Sequence, residues 1–259
     1  MTAREAIREA ERRLGAAGVD TPRVDAELLV AHVLGVSRTQ LFADLDREVD
    51  GLEPLLARRE RREPLAYVLG EWGFRRLTLK TDARALVPRP ETEILVERTL
   101  ALLDGTHRPR VLDVGVGSGA IALAVKDERP DALVTGVDES RDALGLAREN
   151  AERLGLDVEL REGGVETAGE GWDVVVSNPP YVDTLAGLQP ELRYEPELAL
   201  VGSGFHERIA EAARTRALVL EVGQGQAERV AAALEALAYK DVQITPDLSG
   251  IARVVEGVR

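Results

Sequence analysis

Cysteine is absent from the 259-residue chain. Without a thiol, the chain forms neither disulfide bonds nor thiolate-zinc sites, and nothing in its composition calls for an oxidising compartment. Histidine is scarce as well, since His32, His107 and His206 lie far apart and lack the short spacing of metal ligands. We therefore expect no bound metal, and we take the cytoplasm as the default compartment.

Long apolar runs and a surplus of basic residues are also missing. No apolar stretch approaches the roughly 18 to 20 residues that span a bilayer, and the first residues lack the apolar core of a secretory signal. We therefore expect no membrane segment and no export. The chain has 33 basic and 46 acidic residues, which gives a formal net charge of −13. Free nucleic acid is a poor candidate partner, because binding to a phosphate backbone needs clustered lysine and arginine.

The spacing of the apolar residues divides the chain into three parts. Residues 1–70 carry them at helical intervals and predict a small helical domain. Such a domain is suited to gripping a protein substrate, and a stabilising appendage explains it equally well. Residues 71–90 change to alternating apolar positions, among them Phe74 and Leu86, which favours a β-hairpin linker. Residues 91–259 form the third and largest part.

Strands and helices alternate through this third part. The predicted strands are residues 110–114, 133–137, 158–161, 173–177, 217–222, 242–245 and 252–255. Alternation of this kind predicts an α/β fold with a doubly wound, mostly parallel, seven-stranded sheet and right-handed crossovers.

A glycine-rich turn follows the first of these strands. Its residues are Gly115, Val116, Gly117, Ser118 and Gly119. Glycines let a backbone approach a ligand closely at the carboxyl end of a parallel sheet, so the turn predicts a nucleotide-containing cofactor. Asp138 ends the next strand, at the position of an acidic residue that binds ribose hydroxyls. Because Gly115, Gly117 and Ala120 also fit the dinucleotide fingerprint, a nicotinamide cofactor stays open on these residues alone.

The strand at residues 173–177 ends in a tetrapeptide at the same edge of the sheet. The tetrapeptide is Asn178, Pro179, Pro180 and Tyr181. Prolines cannot continue a central strand, so the chain leaves the sheet here and holds Asn178 rigidly. An amide nitrogen is a poor nucleophile because its lone pair is delocalised. The Asn178 side-chain oxygen and the Pro179 main-chain oxygen can each accept one N–H of a substrate NH₂ group. The nitrogen lone pair of that group would then face a methyl group on a sulfonium. Tyr181 can stack on a planar substrate.

The tetrapeptide resembles the Asn-Pro-Pro-Tyr motif of amino-methyltransferases, a group that includes DNA adenine and protein-glutamine methyltransferases. The wider sequence is similar to the release factor glutamine methyltransferase family, from about residue 20 to the C-terminus. The segments that carry this similarity are residues 63–70, Phe74, 86–93, 194–196 with 199–200, and 221–223 with Gln226.

This resemblance implies a class I S-adenosylmethionine methyltransferase acting in translation termination. The methyl group would go to N5 of the glutamine in the Gly-Gly-Gln motif of a peptide chain release factor, the protein partner, with S-adenosylhomocysteine as the other product. Residues 115–119, Asp138 and Asn178 would contact the cofactor. Residues 178–181 would hold the glutamine amide, and residues 88–92 would border the pocket.

Two segments depart from the family pattern. Gly163, Gly164 and Val165 stand where the family has an acidic residue followed by an aromatic one, so its adenine contact does not carry over. After Leu200, the family has a glycine-rich segment that contains an aspartate, and residues 201–205 of this chain stand in its place. We therefore expect a differently covered rim of the active site.

Four other functions stay open on the sequence, and it separates the nearest of them only weakly. A ribosomal-protein glutamine is the nearest alternative substrate. DNA adenine-N6 methylation is the next, and the net charge of −13 counts against it. A nicotinamide-dependent oxidoreductase would leave residues 178–181 unexplained, and a noncatalytic binding module explains least.

Overall fold

The computed structural model describes residues 1–184 and 186–259. They divide into two compact units. One comprises Met1–Glu71 together with Leu188–Tyr194, and the other comprises Trp72–Gly187 with Glu195–Arg259. The first unit therefore includes a short segment from the C-terminal part of the chain, which the spacing of apolar residues does not reveal.

The N-terminal unit is helical. Its helices are α1 (Ala3–Ala16), α2 (Pro22–Leu34), α3 (Arg38–Leu41), α4 (Glu53–Glu60) and α5 (Leu65–Leu69), with a 3-10 turn at Pro190–Tyr194. A capping box starts α1, because the Thr2 hydroxyl accepts from the Glu5 amide and the Glu5 carboxylate accepts from the Thr2 amide. Gly35 ends α2 with a left-handed backbone, φ 64°. Local sequence therefore sets the ends of these helices.

Buried ion pairs join the distant segment of this unit to its helices. Arg59 donates through Nε to Asp25, at 2.7 Å, and through Nη1 to Glu191, at 2.8 Å. Arg62 donates twice to the same Glu191 carboxylate. The Arg59 and Asp25 side chains are only 7% and 5% exposed. Because a buried charge is tolerated only when it is paired, these contacts hold Leu188–Tyr194 against α4.

The larger unit contains a hairpin and a seven-stranded sheet. The hairpin is β1 (Glu71–Phe74) and β2 (Leu77–Lys80). The sheet strands are β3 (Arg110–Val114), β4 (Leu133–Asp138), β5 (Glu159–Glu162), β6 (Trp172–Ser177), β7 (Thr215–Glu221), β8 (Lys240–Pro246) and β9 (Ala252–Val258). The helices are α6 (Thr92–Leu102), α7 (Ala120–Glu128), α8 (Arg141–Leu154), α9 (Glu197–Leu200), α10 (Phe205–Ala212) and α11 (Ala227–Ala236), with a 3-10 turn at Val165–Glu170.

The strand order is β5-β4-β3-β6-β7-β9-β8. The first five strands of this order are parallel, and β9 is antiparallel to both β7 and β8. Alternate residues of β6 enter opposite cores: Val174 and Val176 pack on one side and Val175 on the other. The predicted α/β fold with a mostly parallel, seven-stranded sheet is confirmed. Among the described residues, no helix is long and apolar enough to cross a bilayer.

The hairpin is shorter than the sequence pattern predicts. It ends at Lys80, so the alternating positions around Leu86 form no strand. The Val87 amide instead donates to the Glu195 carboxylate, at 3.0 Å, and Pro88 has no amide hydrogen to offer. The Val87 amide thus bonds to a side chain, whereas the expected hairpin would require it to bond to the backbone of a neighbouring strand.

Replacing Asp25 by alanine tests the buried ion pair. The change removes one carboxylate from a buried guanidinium, and we expect the free energy of unfolding to fall by about 3 kcal/mol. Urea titration of the variant and the wild type measures this difference. Glu9→Ala is the control, because it breaks only the exposed pair with Arg12 and should leave the unfolding midpoint unchanged. Equal free energies of unfolding for Asp25→Ala and the wild type would contradict the stabilising role of the Arg59–Asp25 pair.

Candidate active site

Three neighbouring strands end at the same level of the sheet. Val114 of β3 is paired with Val137 of β4 and with Ser177 of β6. The residues that follow these strands therefore meet at one edge, where a cavity of about 210 Å³ opens. The predicted site residues that line it are Gly115, Val116, Gly117, Ser118, Asp138, Asn178, Pro179 and Pro180.

The glycine turn wraps one wall of this cavity. Gly115, Gly117 and Gly119 have φ of 76°, 54° and 89°, values that favour glycine. Gly119 does not line the cavity. A Cβ on it would lie 2.8 Å from Leu123 Cδ1, so close packing under the first turn of α7 explains this glycine. Its predicted cofactor contact is therefore not supported by its position.

Asp138 supports the turn as well as facing the cavity. Its Oδ2 accepts from the Gly117 amide, at 2.9 Å, and its Oδ1 accepts from the Ser140 amide, at 2.8 Å. Each carboxylate oxygen has a further lone pair that can accept from a ligand hydroxyl. Asp138 thus fixes the geometry of the glycine turn and the entry to α8, a role the sequence did not suggest.

Asp113 is a buried carboxyl group that the sequence reasoning missed. It lies within β3 and is fully buried, and its Oδ2 accepts from the Ala122 amide of α7, at 3.1 Å. Among the described residues, its Oδ1 has no hydrogen-bond partner. Burial raises the pKa of Asp113 to about 7, and the charge on Asp138 acts in the same direction. An acidic residue inside an otherwise apolar strand is the signal that could have identified it.

The Asn178 side chain hydrogen-bonds to Thr92, which in turn hydrogen-bonds to Glu221. Its Nδ2 donates to Thr92 Oγ1, at 3.3 Å, and the Thr92 hydroxyl donates to Glu221 Oε2, at 2.6 Å. Burial raises the pKa of Glu221 to about 7, and the Thr92 hydrogen bond opposes this shift. Ser177 Oγ donates to the Val114 carbonyl, at 2.7 Å, and so ties the end of β6 to β3. The tetrapeptide therefore leaves the sheet from a fixed position.

Tyr181 does not line the cavity. Its ring lies 6.5 Å from the His206 ring, at an interplanar angle of 22°. A Cβ on Gly223 would approach the Tyr181 ring to 2.9 Å, and the Tyr181 carbonyl accepts from Gln226 Nε2. Burial raises the pKa of Tyr181 to about 12, with a further contribution from the charge on Glu221. Stacking of this ring on a substrate stays a prediction, and its present contacts favour a structural role.

Glu195 joins two segments that wall the cavity. Its side chain is 1% exposed and accepts from Arg89 Nη2 and from the Val87 amide. From the segment expected to border the pocket, the lining residues are Pro88, Arg89 and Thr92. Pro196, Leu198 and Ala199 line it from the other segment. The sequence resemblance includes residues 194–196 but gives no reason for the buried glutamate.

The two segments that depart from the family pattern both reach the cavity. Gly163, Gly164 and Val165 line it, and a Cβ on Gly164 would lie 2.7 Å from Glu139 Oε1. A second carboxylate, Glu166, accepts from the Gly164 amide, at 2.7 Å, and this bond lowers the pKa of Glu166. Phe205, the first residue of α10, lines the cavity from the other segment. Acidic side chains thus lie beside the glycines at the expected adenine position.

Comparisons with known proteins agree with this architecture. Residues 5–70 match the family model described as the PrmC N-terminal domain, and residues 90–192 match the methyltransferase small domain. The release factor glutamine methyltransferase of Deinococcus radiodurans is 42% identical over 282 residues, covering 100% of this chain and 99% of the relative. That of Caulobacter vibrioides is 39% identical over 271 residues, covering 96% and 94%.

A solved structure shows the same fold at low sequence identity. The catalytic domain of human METTL16 in complex with an RNA hairpin aligns with a TM-score of 0.58 and 13% identity, covering 79% of this chain and 81% of that one. The match to the methyltransferase small domain and the identity to curated methyltransferases show that the chain is a methyltransferase of the S-adenosylmethionine-dependent class. Full-length identity to the curated relatives shows that the chain belongs to the release factor glutamine methyltransferase family.

The raised pKa of Asp113 predicts a pH-dependent stability. Its carboxyl group favours folding while protonated, and this contribution is lost as the pH rises from the unfolded pKa of 3.8 through the folded pKa of about 7. Asp113→Asn cannot ionise. We expect its melting temperature, relative to wild type, to increase between about pH 5 and about pH 8. Calorimetry over this range measures the difference, and parallel curves for the two proteins would contradict the burial argument.

Proposed function

We propose that this protein transfers a methyl group from S-adenosylmethionine to N5 of the glutamine in the Gly-Gly-Gln motif of a peptide chain release factor. One observation carries the proposal: Asn178 and Pro179 face a cavity whose other wall is a glycine turn, in a chain of this family. The similarity to curated release factor glutamine methyltransferases supports a release factor as the substrate.

The residues around the cavity fit the cofactor. The positive φ of Gly115 and Gly117 brings main-chain atoms close to a ligand, and the first turn of α7 directs amide groups there. The free lone pairs of Asp138 can accept from the ribose hydroxyls. Gly163 and Gly164 line the cavity where adenine is expected, and the Glu139 carboxylate beside them can accept from its amino group. S-adenosylmethionine, when bound, supplies a methyl group on a sulfonium that is already a good leaving group.

The tetrapeptide prepares the glutamine nitrogen for attack. Asn178 Oδ1 accepts one N–H of the amide and the Pro179 carbonyl accepts the other, which holds the nitrogen with its lone pair facing the methyl group. No strong base has to remove a proton before attack, because the two acceptors orient the lone pair instead. The methylated nitrogen loses one proton to solvent after the transfer, and S-adenosylhomocysteine leaves as the neutral thioether. Orientation of the two reacting groups makes the transfer an effectively unimolecular step.

The N-terminal unit is proposed to bind the protein partner, because the residues that line the catalytic cavity all belong to the other unit. A release factor needs to be held while a single glutamine side chain enters the cavity. We also propose the cytoplasm as the site of action, in line with the absence of cysteine.

Asn178→Ala is the most direct test of the activity. Removing a positioned acceptor from a water-excluded site lowers the rate by on the order of 10²-fold, and more if the lone pair loses its alignment. Wild type and variant are incubated with S-adenosylmethionine and a release factor, and mass spectrometry follows one added methyl on the Gly-Gly-Gln glutamine. A release factor with glutamate at this position is the control substrate and should remain unmodified.

The same assay separates the alternatives. A wild-type rate for Asn178→Ala would refute the catalytic role of this residue. If the enzyme leaves the release factor unmodified but methylates a ribosomal-protein glutamine or DNA adenine, the proposed substrate is wrong.

Asp138→Ala tests the cofactor assignment. The variant loses hydrogen bonds to the ribose and the support of the Gly117 amide, so we expect S-adenosylmethionine to bind about 10- to 100-fold more weakly. Titration calorimetry measures the affinity. Asp142→Ala, an exposed residue in the first turn of α8, is the control and should bind as the wild type does. Unchanged affinity in Asp138→Ala would refute the assignment.

A further inference from the structure

Beside Asn178 lies a short series of buried polar groups outside the glutamine-holding motif, and the first of them, Thr92, also lines the cavity. Thr92, the first residue of α6, is 4% exposed, and Glu221, the last residue of β7, is 2% exposed. Asn178 Nδ2 lies 3.3 Å from Thr92 Oγ1, which lies 2.6 Å from Glu221 Oε2. The three side chains come from three separate elements of the larger unit, so the fold brings them together.

The chemistry of the hydroxyl group sets the direction of these hydrogen bonds. A threonine hydroxyl has one proton, whereas an ionised carboxylate only accepts. When Thr92 donates its proton to Glu221, it can only accept from Asn178. The Asn178 carboxamide must then turn its nitrogen toward Thr92, which leaves Oδ1 at the other end of the planar group.

We propose that Thr92 and Glu221 are positioning residues that make Asn178 present its oxygen, rather than its nitrogen, to the substrate amide. The inference rests on the proposed function, because an NH₂ group turned toward the glutamine could not accept its N–H. A carboxamide has nearly the same shape in either orientation, so packing alone does not distinguish the two. The buried hydroxyl and carboxylate supply the missing distinction.

Thr92→Val removes the hydroxyl and keeps the shape of the side chain. We expect kcat for release factor methylation to fall at least about 2-fold, because the Asn178 carboxamide then has no partner that favours one orientation and only about half of the molecules present Oδ1 to the substrate. The KM for the release factor should change little, because the rest of that protein makes most of its contacts elsewhere. Thr92→Ser keeps the hydroxyl and should recover most of the rate. Assays are run at about pH 8.5, above the pKa of about 7 of Glu221, so that the carboxylate is ionised.

Thr99→Val is the matched control. Thr99 lies on the same helix and is buried, but its hydroxyl donates to the Leu95 carbonyl and not toward the cavity. Its replacement should leave kcat unchanged. If Thr92→Val turns over like the wild type, or if Thr99→Val and Thr92→Ser lose as much rate as Thr92→Val, the positioning role is wrong.

A double-mutant cycle tests Glu221. Glu221→Gln should lower kcat about 2-fold when Thr92 is present, because glutamine can donate to the Thr92 hydroxyl as well as accept from it, so the Thr92 proton is no longer held away from Asn178 in every molecule. In the Thr92→Val background the same change should have no further effect. If the Thr92→Val and Glu221→Gln changes instead lower kcat by independent factors, Glu221 acts independently of Thr92. That result would overturn the part of Glu221 in the proposal.

A readout without turnover separates this inference from the proposed function. In the wild type, nuclear Overhauser contacts should connect the Asn178 side-chain NH₂ with the Thr92 methyl protons. Their presence supports the orientation even if the enzyme modifies a different substrate. Their absence, with methylation of the release factor intact, would overturn the inference and leave the proposed function standing.

Discussion

The cavity depends on the parallel pairing of β3 with β4 and β6. Because Val114 is paired with both Val137 and Ser177, three segments leave the sheet side by side. Two polar contacts fix their exits: Ser177 Oγ donates to the Val114 carbonyl, and the Gly117 amide donates to Asp138. If the strands paired one residue out of register, the segments that follow them would lie farther apart, and the side chains of the shifted strand would point to the opposite faces of the sheet. The site is therefore a consequence of strand register.

Two buried carboxyl groups hold the helices that border the cavity. Asp113 of β3 accepts from the Ala122 amide in the first turn of α7, and Glu221 of β7 accepts from Thr92 at the start of α6. Burial raises the pKa of each to about 7. Acidic groups at helix N-termini are favoured by the helix dipole, which offsets part of their desolvation. The same arrangement therefore anchors both helices beside the cavity.

The sequence predicts most of the fold because its information is local: alternating strand and helix patterns determine a parallel sheet, and parallel strands place Asp138 and Asn178 at one edge. What it misses depends on contacts between distant residues. Gly119 packs against the core, and Tyr181 lies against His206, outside the cavity wall. Glu195 accepts a hydrogen bond from Val87, more than a hundred residues away in the chain. Periodicity and motif spacing carry no information about such partners.

In the proposed complex, the edge of the sheet holds a substrate amide between two acceptors and in line with a methyl donor. The most direct measurement is a crystal structure with S-adenosylhomocysteine and a peptide containing Gly-Gly-Gln. We expect the glutamine side-chain nitrogen to lie within about 3 Å of both Asn178 Oδ1 and the Pro179 carbonyl, facing the cofactor sulfur. A glutamine amide bound elsewhere in the cavity, or held through Asn178 Nδ2, would contradict it.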